Sequence, residues 1–206
     1  MQKFYRKIIE KVSRNKIIKR RLNISGGLTV EWFLSPDSQL KYYKKSFDED
    51  LRKFVEKYVK VSDIVWDIGA NCGTFSAFCI SKGIKNQILA IEPDIFLSNI
   101  LVKNSQSNNI FPISAAISND LSILNLNIAY RGRASNSLSL VNPRGEEGGK
   151  RYVQPVISLT LDWLVSMRGI PDIVKLDIEG AEFLALQGGK NLIECGKTKF
   201  IVEMDE

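Results

Sequence analysis

The chain has 206 residues, 44% of them hydrophobic and 25% charged, which suits one globular domain with a sizeable core. It contains no histidine, which excludes Ser-His-Asp triads, Cys-His dyads and histidine-bound zinc; three scattered cysteines (Cys72, Cys79, Cys195) argue for reduced thiols in a cytoplasmic protein rather than a disulfide framework or a zinc site. The net charge of +6 is concentrated: residues 1–21 hold nine Lys or Arg against Glu10, a local +8 that leaves −2 for the rest, so no nucleic-acid partner is expected.

No run approaches the roughly 18 apolar residues of a membrane span, and the first residues show no apolar signal segment. Residues 1–22 read as one basic helix with Phe4, Ile8, Ile9, Val12 and Ile17 as its apolar members. Such a helix docks on its own domain, or lies peripherally on an anionic membrane surface or an acidic partner. Leu28 to Leu34 reads as a short strand closed by Pro36 and Asp37, and residues 47–60 as a helix with Leu51, Phe54, Val55 and Tyr58 at helical spacing. The expected division is a basic helix and lead-in over 1–46 and the main domain over 47–206.

Asp63 to Ile68 is a compact apolar run that suits a strand buried on both faces. Gly69 to Gly73 forms a loop, Thr74 to Ser81 a helix closed by Lys82-Gly83, and Ile88 to Ile91 a second strand. Asp94 caps a helix through Val102, and Ile110 to Ile117 is a third strand. Ile123 to Ile128 suggests an added hairpin, Arg144 to Lys150 a polar glycine-rich loop, Val153 to Ile157 a strand and Leu159 to Met167 a helix. Asp172 to Asp177 is a fourth buried strand, Ala181 to Leu186 a helix, and Lys199 to Val202 the start of a fifth strand. Alternating strands and helices of this kind build a parallel sheet with right-handed crossovers.

Chemistry concentrates at Asp67-Ile68-Gly69-Ala70-Asn71-Cys72-Gly73, between a buried strand and a helix, where open α/β sheets bind ligands. Its glycines let backbone approach a ligand, and the helix behind it offers free N–H groups. Glu92 follows Gly73 by 19 residues, at the end of the next strand, where a carboxylate can accept from both hydroxyls of a ribose. Loop and acid together describe a site for a nucleoside-bearing cofactor. A dinucleotide loop needs glycine where Asn71 stands, and a P-loop needs a Lys-Ser/Thr pair after Gly73. Asp67 at the strand end would repel phosphate; it suits the ammonium and sulfonium charges of S-adenosylmethionine.

Trp66 to Gly73, Glu92-Pro93, Leu161-Asp162 and Lys175-Leu176-Asp177-Ile178-Glu179-Gly180-Ala181-Glu182 together resemble the FkbM family of class I methyltransferases, from about Phe47 onward. The resemblance implies a Rossmann-like α/β fold with a mostly parallel sheet, S-adenosyl-L-methionine as cofactor, and an oxygen atom as acceptor, often on a sugar or natural product. By matching, Asp67, Gly69, Asn71 and Gly73 would hold the amino-acid end of the cofactor and Glu92 its ribose, with Ser114, Ala115 and Ala116 near the adenine. Asp177, ending the fourth strand beside the loop, would face the departing methyl. In a chain without histidine it is the candidate general base. Glu179 and Glu182 are weaker candidates for the same role, both reading equally as charges that favour a helix N-terminus, Glu182 the more so, and Glu203 could line the same cleft on the acceptor side. Tyr130, Arg131 and Arg133 are candidate acceptor contacts from the irregular segment 121–160. Asp177 and Glu203 could instead hold a divalent ion, but nothing in the pattern demands a metal and none is expected.

Class I methyltransferases usually follow the fifth strand with a helix and an antiparallel strand pair, whereas this chain ends at Asp205-Glu206. The expectation is a sheet lacking that pair, whose fifth-strand edge invites a homodimer. The expected function is O-methylation of a small-molecule or glycan hydroxyl by direct displacement. The main alternative is a non-catalytic module that only holds the cofactor. A nicotinamide-linked oxidoreductase is disfavoured by Asn71. An RNA methyltransferase is disfavoured by the acidic core and by the few aromatics (Phe4 and Tyr5) of residues 1–21.

Overall fold

Three strands of the central sheet are buried on both faces, because helices cover each side of them. The computed structural model describes residues 2–23, 26–140 and 149–203. It opens with helix α1 (Gln2–Val12), an antiparallel hairpin of β1 (Ile18–Leu22) and β2 (Val30–Leu34), and helix α2 (Glu49–Tyr58). An alternating unit follows: β3 (Val65–Ile68), α3 (Thr74–Lys82), β4 (Ile88–Ile91), α4 (Ile95–Ser105) and β5 (Ile110–Ile113). Next come β6 (Ala116–Ile117), β7 (Ser122–Ala129), β8 (Ser137–Leu138) and β9 (Lys150–Leu159), which form a second sheet. The chain returns through α5 (Leu161–Arg168) to β10 (Ile173–Leu176), α6 (Glu182–Gln187), α7 (Lys190–Glu194) and β11 (Lys199–Val202).

The central sheet has the order β11-β10-β3-β4-β5 and is parallel throughout. The direction of winding reverses between β3 and β10, so the crevice beyond their C-terminal ends is where such a sheet binds ligands. Side chains alternate across it. Val65, Ile88, Ala90 and Ile173 join a core with the hairpin and helices α2, α3 and α4. Trp66, Ile68, Leu89, Ile91, Val174 and Leu176 join a second core with α5, α6 and α7. Period-two alternation with both faces covered is why these strands read as unbroken apolar runs.

Two expectations are corrected. Residues 1–22 are not one helix: α1 ends at Val12, Asn15 takes a left-handed turn (φ 55°), and Ile18–Leu22 pairs with Val30–Leu34. Tertiary contacts override helical propensity there, since Arg20 donates to the carbonyls of Tyr42 and Lys44. The third strand does not run through to Ile117. It stops at Ile113, and after Ser114-Ala115 the chain crosses to the second sheet, where Ala116 and Ile117 pair with Ser158 and Leu159 of β9. The added hairpin becomes a larger unit, with β7 antiparallel to both β8 and β9. Most of the glycine-rich loop 144–150, and Asp205-Glu206, lie outside the described residues.

The hairpin belongs to the first core. Trp32 and Leu34 are wholly buried, Trp32 Nε1 donates to Cys72 O (2.7 Å), and Asn104 of α4 bonds Phe33 through both its oxygen and its amide. Among the described residues no helix is long and apolar enough to cross a membrane.

Candidate active site

A cavity of about 270 Å³ opens at the winding reversal, between the C-terminal ends of β3, β4 and β10. Its floor is the loop after β3. Gly69 takes a left-handed conformation (φ 69°), and a Cβ there would sit 1.8 Å from the carbonyl oxygen of Asp177, so only glycine lets the ends of β3 and β10 close against each other. Asn71 is also left-handed (φ 54°), which asparagine tolerates. Its Oδ1 accepts from Ser38 Oγ and from Cys72 N, both at 2.8 Å.

Glu92 ends β4 against this loop, only 6% exposed. Oε2 accepts from Asn71 N (2.8 Å) and Oε1 from Asp94 N (2.9 Å), so the acid and the loop are one rigid unit. Burial pushes its pKa up to about 8; the nearby Asp94 charge adds to this, against the two backbone donors and Lys175. Each oxygen keeps acceptor capacity toward the cavity that Glu92 lines.

Asp177 lines the same cavity with its side chain 32% exposed. Beside it lies a residue that motif reading passed over. Lys175 is 8% exposed; its Nζ sits 3.1 Å from Asp177 Oδ2, 3.1 Å from Gly69 O and 3.6 Å from Asp67 Oδ1. Burial alone would lower the Lys175 pKa, but the Asp177 and Asp67 charges, with a smaller part from Glu203, push it up to about 12. The signal was present as a lone cation inside the apolar run Ile173-Val174-Lys175-Leu176.

The remaining expected residues divide into cavity wall and scaffold. Ala115, Glu179 and Glu203 line the cavity with Gly69, Asn71, Glu92 and Asp177. Asp67 does not: it is wholly buried beneath the loop, and Oδ2 accepts from Ser76 N (3.2 Å) and Ser76 Oγ (2.7 Å), holding the first turn of α3. Gly73 lies outside the wall too, its α-carbon packed toward Leu101 and Trp32. Ser114 is exposed outside the cavity. Glu182 closes the turn after β10, where Oε1 accepts from Ile178 N and Gly180 N.

Arg131 is exposed and outside the lining, and Tyr130 is 52% exposed under the Arg14 guanidinium. Arg133 reaches the cavity wall as a buried clamp. Nε bonds Asp37 Oδ2 (2.9 Å), and NH1 bonds both oxygens of the N-cap Asp94 (2.9 and 2.7 Å). Arg151 doubles the contact to Asp37. A second unforeseen wall comes from the lead-in and the N-terminal end of α2: Gln39, Lys41, Tyr42, Asp48 and Leu51 line the cavity, with Lys41 paired to Asp48 and Tyr42 Oη 3.2 Å from Thr74 Oγ1. These residues form no motif and stand 19 or more residues before Ala70, so no spacing rule reveals them.

The chain is 23% identical over 151 residues to hexuronic acid methyltransferase AglP of Haloferax volcanii, an alignment covering 71% of this chain and 58% of that protein, so it spans little more than half of the relative's length. Among solved structures it is similar to methyltransferase FkbM from Methylobacillus flagellatus KT, with 21% identity and a TM-score of 0.47 over 69% of this chain and 32% of that one. Residues 67–206, from the buried aspartate of β3 through both cavity-lining strand ends, match the Methyltransferase FkbM domain, and by that match the chain belongs to the FkbM methyltransferase family.

Proposed function

We propose that this protein transfers a methyl group from S-adenosyl-L-methionine to an oxygen atom of a sugar or glycan acceptor. The observation that carries the reading is one cavity, at the winding reversal, that joins the Gly69–Asn71 backbone and Glu92 to Asp177. The residues fit such a cofactor. Glu92 offers acceptor lone pairs for ribose hydroxyls, and Ala70, Ala115 and Ala116 leave room where larger side chains would fill the slot. A sugar acid is the acceptor class to test first, on the strength of the relative's name alone.

When bound, S-adenosylmethionine supplies a methyl group activated by a positively charged sulfur. The chain's own contribution is mainly alignment, which is worth up to roughly 7–11 kcal/mol in well-oriented reactions. Asp177 is the acceptor-side carboxylate that orients a hydroxyl and takes its proton. Its pairing with Lys175 keeps the carboxylate in one orientation, and a base so placed is worth about 10²–10⁴-fold. Lys41, Tyr42 and Asp48 add polar groups to the wall of the same cavity.

The test is calorimetry with S-adenosylhomocysteine, then transfer of labelled methyl from S-adenosylmethionine to oligosaccharides with and without a uronic acid. Binding with acceptor-dependent label in base-stable ether linkage supports the reading. Binding without turnover on any sugar would make the protein a cofactor-holding module, and absence of binding by folded protein would remove the cofactor assignment.

A further inference from the structure

Helix α1 carries its apolar stripe on the outside. Tyr5, Ile8, Ile9 and Val12 stand at i, i+3, i+4 and i+7, one face of the helix, and are 60%, 45%, 45% and 69% exposed. A helix that docks on its own domain buries such a stripe. Among the described side chains the better-covered positions are polar: Glu10 is half-buried against Arg6, and Ser13, just past the helix, is buried with its hydroxyl on Ile9 O and Tyr43 Oη.

Two further exposed rings stand at the C-terminal end of the helix, Tyr43 and Tyr130. Each carries a cation: Lys16 Nζ lies 5.4 Å from the Tyr43 centroid, and the Arg14 guanidinium carbon 4.4 Å from that of Tyr130. Lys7 and Lys11 are exposed on the helix itself. Apolar stripe, tyrosine rings and cations are the three groups that partition into a lipid interface, as hydrocarbon, headgroup-level aromatics and counter-charges to anionic lipid.

We propose that α1, with Arg14, Lys16, Tyr43 and Tyr130, is a docking face for an anionic lipid bilayer. The exposed cations Lys7, Lys11, Arg14 and Lys16 complement such a surface, and the same charges oppose pairing of this face with a second copy of itself. The face is bolted to the cleft. Asn15 N donates to Asp37 Oδ2, and Asn15 Oδ1 accepts from Arg133 NH2, whose side chain lines the cavity. A bilayer bound at α1 therefore lies next to the loop that walls the cleft. The proposal is independent of the cofactor and acceptor assignments.

The experiment is co-sedimentation of the full chain with vesicles of phosphatidylcholine alone, and with about 30% phosphatidylserine, at roughly 0.1 M and 0.5 M salt. Partition onto the anionic vesicles should exceed that onto neutral ones by at least about tenfold and collapse at the higher salt. Ile8→Asp with Val12→Asp should abolish it without altering the circular dichroism spectrum, because both side chains are already exposed. Lys7→Ala and Lys11→Ala should each lower it about fivefold. No partition of the folded chain onto anionic vesicles overturns the proposal, as does undiminished binding of the Ile8→Asp, Val12→Asp variant. A concentration-dependent dimer broken by those substitutions would reassign the stripe to a second copy.

Discussion

Lys175 stands beside Asp67 in the register of β10 and β3, its ammonium 3.6 Å from a carboxylate oxygen that is buried with no hydrogen-bond partner. The same ammonium bonds Gly69 O and Asp177 Oδ2. One cation thus ties the body of β3, the loop that follows it and the cavity carboxylate of β10 into a single unit, and site geometry and core stability depend on it together.

Removing that cation should therefore be costly. Lys175→Met keeps the length and apolar stem but leaves Asp67 wholly buried beside no charge. We expect a loss of about 3 kcal/mol, the low end for breaking a buried pair because Asp177 keeps about a third of its side chain in solvent. Urea unfolding monitored by tryptophan fluorescence measures it. Lys175→Arg should not restore the wild-type value, since a planar guanidinium cannot reach Gly69 O, Asp67 and Asp177 in the same geometry. A loss under 1 kcal/mol for Lys175→Met would show that the ion pairs are not what secures the two strand ends.

Glu92 gives the protein a pH dependence opposite to that of an ordinary ion-paired carboxylate. Its folded pKa of about 8 lies above the usual unfolded value near 4.3, so between those pH values the folded state holds a proton that the unfolded state has lost. This group's contribution to stability is therefore largest below about pH 4.3, falls as pH rises toward about 8, and levels off beyond. Urea midpoints from pH 5 to 9 should decline for the wild type, and Glu92→Gln should flatten the decline. Ribose hydroxyls donate best to the ionised form, so binding of S-adenosylhomocysteine at pH 7 should release a proton. Calorimetry in two buffers of different ionisation enthalpy would reveal it, and equal apparent enthalpies would refute the linkage.

Much of this was legible before the structure. Strands β3, β4 and β10 are sandwiched between helices, so their residues must be apolar on both faces and the runs stand out; the left-handed loop needs Gly69, and the acid at the end of β4 lines the cavity. Three features were hidden for physical reasons. Ile18-Lys19-Arg20-Arg21-Leu22 looks helical because charge crosses both faces of the strand, with Arg20 satisfied by distant carbonyls. The break at Ser114-Ala115 depends on β9, more than 30 residues later. The cavity wall from Gln39 to Leu51 is assembled by long-range packing of Tyr42 and Trp32 on the α3 region, which no local pattern encodes.

The clamp of Arg133 on Asp37 and Asp94 should behave as a unit. Asp94 is wholly buried, caps α4 through Phe96 N and donates its own N–H to Glu92, so Arg133 reaches Glu92 through it. Arg133→Met should cost about 3–5 kcal/mol, the expected range when a buried charge loses its partner. Arg133→Lys should recover little, because one ammonium cannot bridge both carboxylates with paired donors. A double-mutant cycle with Asp94→Asn, followed by thermal unfolding, would measure the coupling. Additive losses would show that the two residues act separately.

Gly69 and Gly83 offer a contrast between backbone strain and contact. Both are left-handed, with φ of 69° and 90°. A Cβ on Gly83 meets nothing within 4 Å, so Gly83→Ala should cost only the conformational strain of about 1–2 kcal/mol. A Cβ on Gly69 would lie 1.8 Å from Asp177 O and 2.8 Å from Ile178 Cγ2, so the end of β10 must move. Gly69→Ala should lose at least about 2 kcal/mol more than Gly83→Ala, and should also weaken binding of S-adenosylhomocysteine, because Asp177 and the Asn71–Glu92 bond shift with it. Gly83 lies at the far end of α3, and its substitution should leave that affinity unchanged. Equal destabilisation by the two substitutions, with affinity intact in both, would mean that β3 and β10 tolerate separation at their ends and that the floor of the cavity is not set by their close approach.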